Sequence, residues 1–166
     1  TQARAGAAER VLAITGRTRP QVTVTIVPKL TRLECQGPQW RKRGKLVDLK
    51  PLQGLPLKDL NVQLTDVSDL SPLREMKLET LMLAYTKVSD LKPLERMPLE
   101  RLELTLLPIK DLSPVRSLKR LQWLHIEAIE ARDLSFLEGL PLKFLGIRRT
   151  NARLSTIKKI PLREIE

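Results

Sequence analysis

Residues 78–98, LETLMLAYTKVSDLKPLERMP, contain the pattern that decides the fold, and this pattern recurs along most of the chain. Aligned on its first leucine, the unit begins at Leu57, Leu78, Leu99, Leu121, Leu142 and Leu162, giving steps of 21, 21, 22, 21 and 20 residues. A period this short and regular is typical of solenoids, in which each unit buries its apolar face against its neighbours. The sequence therefore predicts a stack of similar coils and excludes most catalytic architectures.

The first half of the unit has the pattern of a short strand. Leu81 and Leu83 alternate with Thr80, Met82 and Ala84, so the two leucines point to one face and the other three residues to the opposite face. We expect the leucine face to be the core. The equivalent core positions of the other strands are Leu60, Val62, Leu102, Leu104, Leu124, Ile126, Leu145 and Ile147.

The second half of the unit has the period of a tight helical turn. Val88, Leu91, Leu94 and Met97 recur at three-residue spacing. Pro93 lies near the start of this turn, where its missing N–H costs nothing. An aspartate precedes the turn in each unit, where its carboxylate can accept free backbone N–H groups. These aspartates are Asp48, Asp69, Asp90, Asp111 and Asp133.

The pattern Leu-x-x-Leu-x-Leu-x-x-Thr-x-Val-x-Asp-Leu-x-Pro-Leu resembles a leucine-rich repeat of the short type found in internalins and phosphatase-regulatory proteins. Segments such as 66–76 and 87–98 are also similar to arrays attached to bacterial serine/threonine kinase-like proteins. The resemblance covers about residues 30–166. It implies an α/β fold, a right-handed leucine-rich-repeat solenoid with a curved parallel sheet and short helical or 3-10 turns on its convex face. The family's usual asparagine is replaced here by Thr65, Thr86, Leu107, Ile129 and Thr150.

Two domains are predicted along the chain. Residues 1–28 read as an N-terminal cap, a short helix plus a strand, which covers the open end of the first coil. Residues 29–166 form the repeat array, with a basic insertion at about 36–45. The chain stops just after Leu162 begins another strand, with no polar capping segment. We therefore expect further chain or a partner to cover the C-terminal end.

The positive charge is concentrated in one part of the chain. The net charge is +11, and residues 1–58 contain 12 basic and 3 acidic residues, a net charge of +9. An anionic ligand such as nucleic acid is therefore a candidate partner of this region. The residues proposed to bind it are Trp40, Arg41, Lys42, Arg43 and Lys45. The alternative is a solvated charged loop, because one short basic run is a weak signal.

The strand positions that alternate with the core form the concave surface. On this surface Trp123, Phe144 and His125 converge on adjacent strands. Large aromatic residues and arginine are typical anchors of protein interfaces. The residues predicted to bind a partner are Trp123, Phe144, His125, Arg101, Glu103, Met82 and Arg148. The alternative is ordinary surface, or a patch that a continuation of the chain covers.

Several other functional classes lack support in the sequence. One histidine and one cysteine do not make a metal site, and no phosphate-binding loop or nucleophile elbow is present. We therefore expect no catalysis and no cofactor. No apolar run approaches the roughly 18 residues of a membrane-spanning helix. The cellular compartment is left open, with the cytoplasm slightly favoured.

These observations favour a non-catalytic protein–protein interaction scaffold that binds another protein, or a domain of the same protein, through the concave face. The resemblance to kinase-associated and phosphatase-regulatory arrays implies a role in signalling or assembly. One alternative is attachment to nucleic acid or an anionic surface through the basic N-terminal region. Another is a structural subunit of a large complex.

Overall fold

The computed structural model describes residues 46–153 in full and the strand backbones of residues 32–34 and 164–165. These residues contain seven strands in one sheet, ordered as in the sequence, with every neighbouring pair parallel. The strands are β1 Arg32–Glu34, β2 Asp59–Asn61, β3 Thr80–Met82, β4 Arg101–Thr105, β5 Trp123–Glu127, β6 Phe144–Arg148 and β7 Glu164–Ile165. Parallel strands in sequential order require each connection to return the chain to the same end of the sheet, which makes every unit one coil.

Each of the five connections from β1 to β6 runs through a short 3-10 helix. The five described helices are Lys50–Leu52, Ser71–Leu73, Lys92–Leu94, Ser113–Ser117 and Ser135–Leu137. A proline lies in the first two positions of the first four. The three-residue spacing of the apolar side chains fits this helix type, because side chains at i and i+3 then lie on the same side.

The aspartate that precedes each of these helices plays the predicted capping role. Its Oδ1 accepts the N–H of the residue two positions later at 2.8–2.9 Å in all five coils. Hydrogen bonds from the hydroxyl and the N–H of Ser71 lower the pKa of Asp69. This interaction is local in sequence, so it forms wherever the local backbone is correct.

The core is a continuous column of aliphatic side chains between the sheet and the 3-10 helices. Nine of the ten strand positions predicted as core are at most 1% exposed. The exception is Ile147, which is only partly buried. The strand β7 pairs with Phe144 and Leu145 alone, so no described strand residue lies opposite Ile147. Ile147 packs against the core cluster, on the side of the sheet where the sequence placed it.

In the turns after β2 to β5, backbone hydrogen bonds join one coil to the next. In five coils the residue just before the asparagine position has a positive φ of 50–61°. These residues are Leu64, Tyr85, Leu106, Ala128 and Arg149. The N–H groups of the first four donate to a carbonyl of the next coil at 2.9–3.0 Å. Inter-coil backbone bonds thus satisfy the N–H groups of these four residues.

Parts of the predicted organisation lie outside the described residues. These are the N-terminal cap at residues 1–28 and the basic insertion at about 36–45. The strand β1 falls within the first predicted repeat unit, and its residues pair with β2 in the register that the repeat alignment gives.

Candidate functional site

Strand register places the predicted partner-binding residues on one face of the sheet. Arg101, Trp123 and Phe144 are register partners in one row across β4, β5 and β6. A second row contains Met82, Glu103, His125 and Gly146, and a third contains Thr105, Glu127 and Arg148. All of them alternate with buried core residues, so they lie on the surface opposite the core, which we call the concave face.

The first row forms a stack of two aromatic rings with a guanidinium over one of them. The ring centroids of Trp123 and Phe144 are 5.1 Å apart and the rings are nearly parallel, at 8°. The guanidinium carbon of Arg101 lies 5.3 Å from the centroid of the Trp123 ring. These spacings are close to the separation of neighbouring strands, so the sheet itself sets the stack. The indole of Trp123 is therefore held between two neighbours, Arg101 and Phe144.

His125 lies beside this stack in the second row. Its imidazole contacts Trp123 edge-on, with the centroids 6.0 Å apart and an interplanar angle of 61°. A Cβ atom built at Gly146 would come 2.3 Å from Cδ2 of His125. The imidazole thus occupies the space above Gly146, and its Nε2 is buried with no hydrogen-bond partner among the described residues. The sequence placed Gly146 in this row but indicated no role for it.

Glu103 supplies the negative charge next to the aromatic stack. Its carboxylate accepts hydrogen bonds from the side-chain amide of Gln63 and, at 3.4 Å, from the hydroxyl of Thr105. Burial raises the pKa of Glu103, the nearby charge of Glu127 adds to this effect, and His125 opposes it. Gln63 is 40 residues away in sequence and was not predicted to contribute. Its only signal was its place in the third row of the concave face.

Arg101 and Arg148 are both exposed. Within the described part of the chain, Arg101 makes its contact with Trp123 and has no ion pair. Arg148 is the register partner of Glu127 at the far end of the third row. The seven predicted residues therefore share one surface, with the aromatic rings at its centre and charged groups around them.

The second predicted site, at Trp40, Arg41, Lys42, Arg43 and Lys45, lies outside the described residues. Over the residues that are described, no three of His, Cys, Asp and Glu come together in a way that could hold a metal ion. The same residues include no helix with the length and apolarity required to cross a membrane.

Comparison with known proteins identifies the fold. No protein-family model and no curated protein matches the sequence. Among solved structures, the chain is similar to internalin C2 from Listeria monocytogenes, with a TM-score of 0.69, 20% identity, and coverage of 97% of this chain and 92% of that one. The fold is an internalin-like leucine-rich-repeat solenoid. It is also similar to internalin F from the same organism, with a TM-score of 0.65 and 20% identity over 95% of this chain and 54% of that one.

The predicted fold class is thus confirmed: a right-handed leucine-rich-repeat solenoid with a parallel sheet and short 3-10 turns. At 20% identity the likeness to internalins extends to the fold alone. The contacts of the side chains on the concave face are therefore described from this chain and not from the internalin structures.

The leucine-rich-repeat array also has an open groove of about 510 Å³ on another part of its surface. Its lining mixes charges of both signs, including Lys58, Arg74, Glu75, Glu95 and Arg120. Lys58 forms an ion pair with Glu79 of the next coil. The groove shares no residue with the concave aromatic stack, which makes its side chains useful controls for experiments on that face.

Proposed function

We propose that this chain is a non-catalytic protein–protein interaction scaffold that holds a partner against its concave face. The observation that carries the proposal is the stack of Arg101, Trp123 and Phe144. Trp123 and Phe144 are only half-buried, and the solvent-facing side of the stack has no described coil over it. Half-exposed aromatic side chains aligned on one face are typical of surfaces that a partner covers.

The geometry of the stack suits a binding hot spot. Tryptophan and arginine are the residue types most enriched where truncation costs more than 2 kcal/mol of binding energy. The rings are already packed against each other in the free chain, so little rotamer freedom remains to be lost on binding. We therefore assign the energetic centre of the interface to Trp123, with Phe144 and His125 extending it.

The internalin-like solenoid supports the same proposal. Stacked coils create an extended concave surface, and repeat proteins of this kind use such surfaces for binding. The partner is another protein, or another domain of the same protein. Glu103, Arg148 and Met82 would provide the polar and adaptable rim around the aromatic centre.

The test compares three forms of the full-length protein in affinity purification followed by quantitative mass spectrometry. These are the parent, Trp123→Ala and the matched control Arg120→Ala, whose side chain lines the separate groove. Loss of a hot-spot residue should weaken binding by at least about 30-fold, from a cost of 2 kcal/mol or more. Proteins captured by the parent and the control but lost with Trp123→Ala are the partners of this face.

The melting temperature of each variant separates binding from folding. Trp123→Ala should melt close to the parent, because the side chain lies on the surface opposite the core. Retention of every captured protein by a folded Trp123→Ala variant would exclude the concave face as the binding surface.

A second candidate function, attachment to nucleic acid or another anionic polymer, is supported by the charge distribution. Residues 1–58 have a net charge of +9 out of +11 for the whole chain. If Trp40 and the basic residues at 41–45 contact phosphates, RNA affinity must fall steeply between 50 and 200 mM salt. Electrophoretic mobility at the two salt concentrations tests this, and salt-independent binding would exclude it.

A further inference from the structure

The guanidinium of Arg101 lies over the Trp123 ring, with its carbon 5.3 Å from the ring centroid. A cation–π contact of this kind leaves the N–H donors of the guanidinium available, and these donors form a rigid planar fork. Arg101 is exposed and has no ion pair within the described residues. A planar fork of free donors, held in place by an aromatic ring, is the arrangement that binds a carboxylate or phosphate in bidentate fashion.

Two residues further along the same strand, the concave face presents the opposite charge. Glu103 lies on β4 with Arg101, and hydrogen bonds from Gln63 and Thr105 hold its carboxylate in place. Glu127 of β5 is close enough to raise the pKa of Glu103 by like-charge repulsion. Residues i and i+2 of a strand lie on the same face, roughly 6.5–7 Å apart. The concave face therefore has a positive site at Arg101 and a negative site at Glu103. Their spacing equals the distance between alternate side chains of an extended peptide.

We infer that the concave face holds an extended segment of a protein along β4, with a carboxylate side chain on Arg101 and a basic side chain, two residues away, on Glu103. The inference rests on the proposed function and specifies the chemistry of the partner. An extended peptide alternates its side chains with the same two-residue period as β4, so both pairs form at once without bending the segment. The side chain between the two charged residues points away from the face.

The same arrangement disfavours a polyanion. A strand of nucleic acid whose phosphate bound Arg101 would bring further phosphates towards Glu103 and Glu127, where like charges repel. The carboxylates of Glu103 and Glu127 thus disfavour binding of a uniformly negative ligand. A mixed-charge protein segment satisfies both sites, which is why the observations favour protein over nucleic acid at this face.

The test uses four capped peptides with the sequences Gly-Glu-Val-Lys-Gly, Gly-Glu-Val-Glu-Gly, Gly-Lys-Val-Lys-Gly and Gly-Gln-Val-Gln-Gly, together with an oligothymidylate. Binding is followed by fluorescence in a Trp40→Phe background, which leaves Trp123 as the sole tryptophan of the chain. The amide NMR shifts of Arg101 and Glu103 provide a parallel readout. The mixed-charge peptide should bind at least about ten-fold more tightly than the other three peptides and the oligothymidylate.

Reversing the charge of Arg101 tests whether this residue selects the acidic side chain of the peptide. Arg101→Glu should abolish the preference for the mixed-charge peptide and create one for the peptide with two lysines. Arg116→Glu makes the same change in net charge at an exposed position in the fourth 3-10 helix, and should bind like the parent.

Other outcomes overturn the inference. Equal binding of the two-glutamate peptide or the oligothymidylate would show that Glu103 does not filter charge. Unchanged preference in Arg101→Glu, or no peptide binding up to 10 mM, would exclude the charged pair as the recognition element. If Trp123→Ala still abolishes partner capture while these peptide results are negative, the inference fails and the proposed scaffold function stands.

Discussion

The imidazole of His125 lies directly over Gly146, so that a Cβ atom at position 146 would come 2.3 Å from Cδ2 of the histidine. Real Cβ contacts are never this short, and any side chain at 146 must therefore displace the ring. Because Gly146 of β6 has no side chain, the imidazole of His125 on β5 can lie above it. His125 in turn makes an edge contact with Trp123. Gly146 thus affects the contacts of two side chains on the concave face, His125 and Trp123.

We expect Gly146→Ala to disturb the aromatic stack and to lower the free energy of unfolding by about 1–2 kcal/mol, as overpacking does. The environment of Trp123 should change in the fluorescence of the Trp40→Phe background. In His125→Ala, the space above residue 146 is already free, so adding Gly146→Ala should cost much less. A double-mutant cycle should give a coupling energy of at least about 0.5 kcal/mol. Additive effects would contradict the proposed contact.

Two threonines at equivalent positions of neighbouring coils allow a matched test of buried hydroxyl groups. The hydroxyl of Thr65 donates to the carbonyl of Val62 at 2.7 Å, whereas the hydroxyl of Thr86 is buried and has no partner within the part of the chain that the structure describes. Valine has nearly the same shape as threonine and lacks the hydroxyl. Thr86→Val should raise the free energy of unfolding by about 1 kcal/mol, and Thr65→Val should lower it by about 1 kcal/mol. Chemical denaturation measures both, and effects of the same sign would be inconsistent with the hydrogen-bond assignment.

Arg96 adopts a backbone conformation that two other coils assign to glycine. Its φ is +63°, and Gly54 and Gly139 have φ values of +76° and +77° after the corresponding 3-10 helices. A side chain in the left-handed region costs about 1–2 kcal/mol, partly offset by the extra freedom that glycine gives the unfolded chain. Arg96→Gly should therefore stabilise the chain by up to about 1 kcal/mol, since the backbone bond from Arg96 N–H to Ser117 Oγ is retained.

Gly139→Ala is the reverse control for this prediction. A Cβ at position 139 meets no atom within 4 Å, so the substitution tests the backbone conformation alone. It should lower the free energy of unfolding by about 1 kcal/mol. Thermal denaturation of the two variants should shift the melting temperature in opposite directions, and a destabilised Arg96→Gly would refute the argument.

Glu103 should make stability depend on pH between its unfolded-state pKa and its raised folded-state pKa. Burial raises its pKa, so the folded chain retains this proton to a higher pH than the unfolded chain does. The corresponding contribution to stability is present below the unfolded-state pKa and is lost as the pH rises through the folded-state pKa. Glu103→Gln keeps an acceptor for Gln63 and removes the charge. It should be more stable than the parent at pH 7, with an advantage that disappears towards pH 4.

Asp133 provides a control of opposite sign. The N–H and hydroxyl of Ser135 lower the pKa of its carboxyl, so its contribution is present above the unfolded-state pKa and is lost as the pH falls through the folded-state pKa. Asp133→Asn should be less stable than the parent at pH 7 and should approach it under acid conditions. If the free energies of unfolding of Glu103→Gln and Asp133→Asn, each relative to the parent, changed with pH in the same direction, the causes assigned to the two pKa shifts would be wrong.

The rows of the concave face were predictable because each depends on one repeat spacing and the two-residue period of a strand. The register of Arg101, Trp123 and Phe144 follows from aligning Leu99, Leu121 and Leu142. The capping aspartates were predictable for a similar reason, since a carboxylate that bonds an N–H two residues away needs only its own local backbone.

Contacts between side chains on the concave face were not predictable in the same way. The hydrogen bond between Gln63 and Glu103 joins residues two coils apart, and the repeat pattern around each residue does not predict it. Ile147 matches the core pattern as well as Leu145 does, yet it is only partly buried, because burial depends on what the next coil places opposite it. The positive φ values of Leu64 and Tyr85 likewise contradict their residue types and are imposed by bonds to the neighbouring coil.

The sequence by itself determined the number and order of the coils, the face that each strand buries and the residue types aligned across them, because these follow from periodicity. The tertiary structure alone decided how those aligned residues contact one another: the cation–π contact of Arg101 with Trp123, the position of His125 over Gly146 and the partial burial of Glu103. Such contacts depend on distances between coils and on rotamers fixed by packing, and a repeat pattern specifies neither.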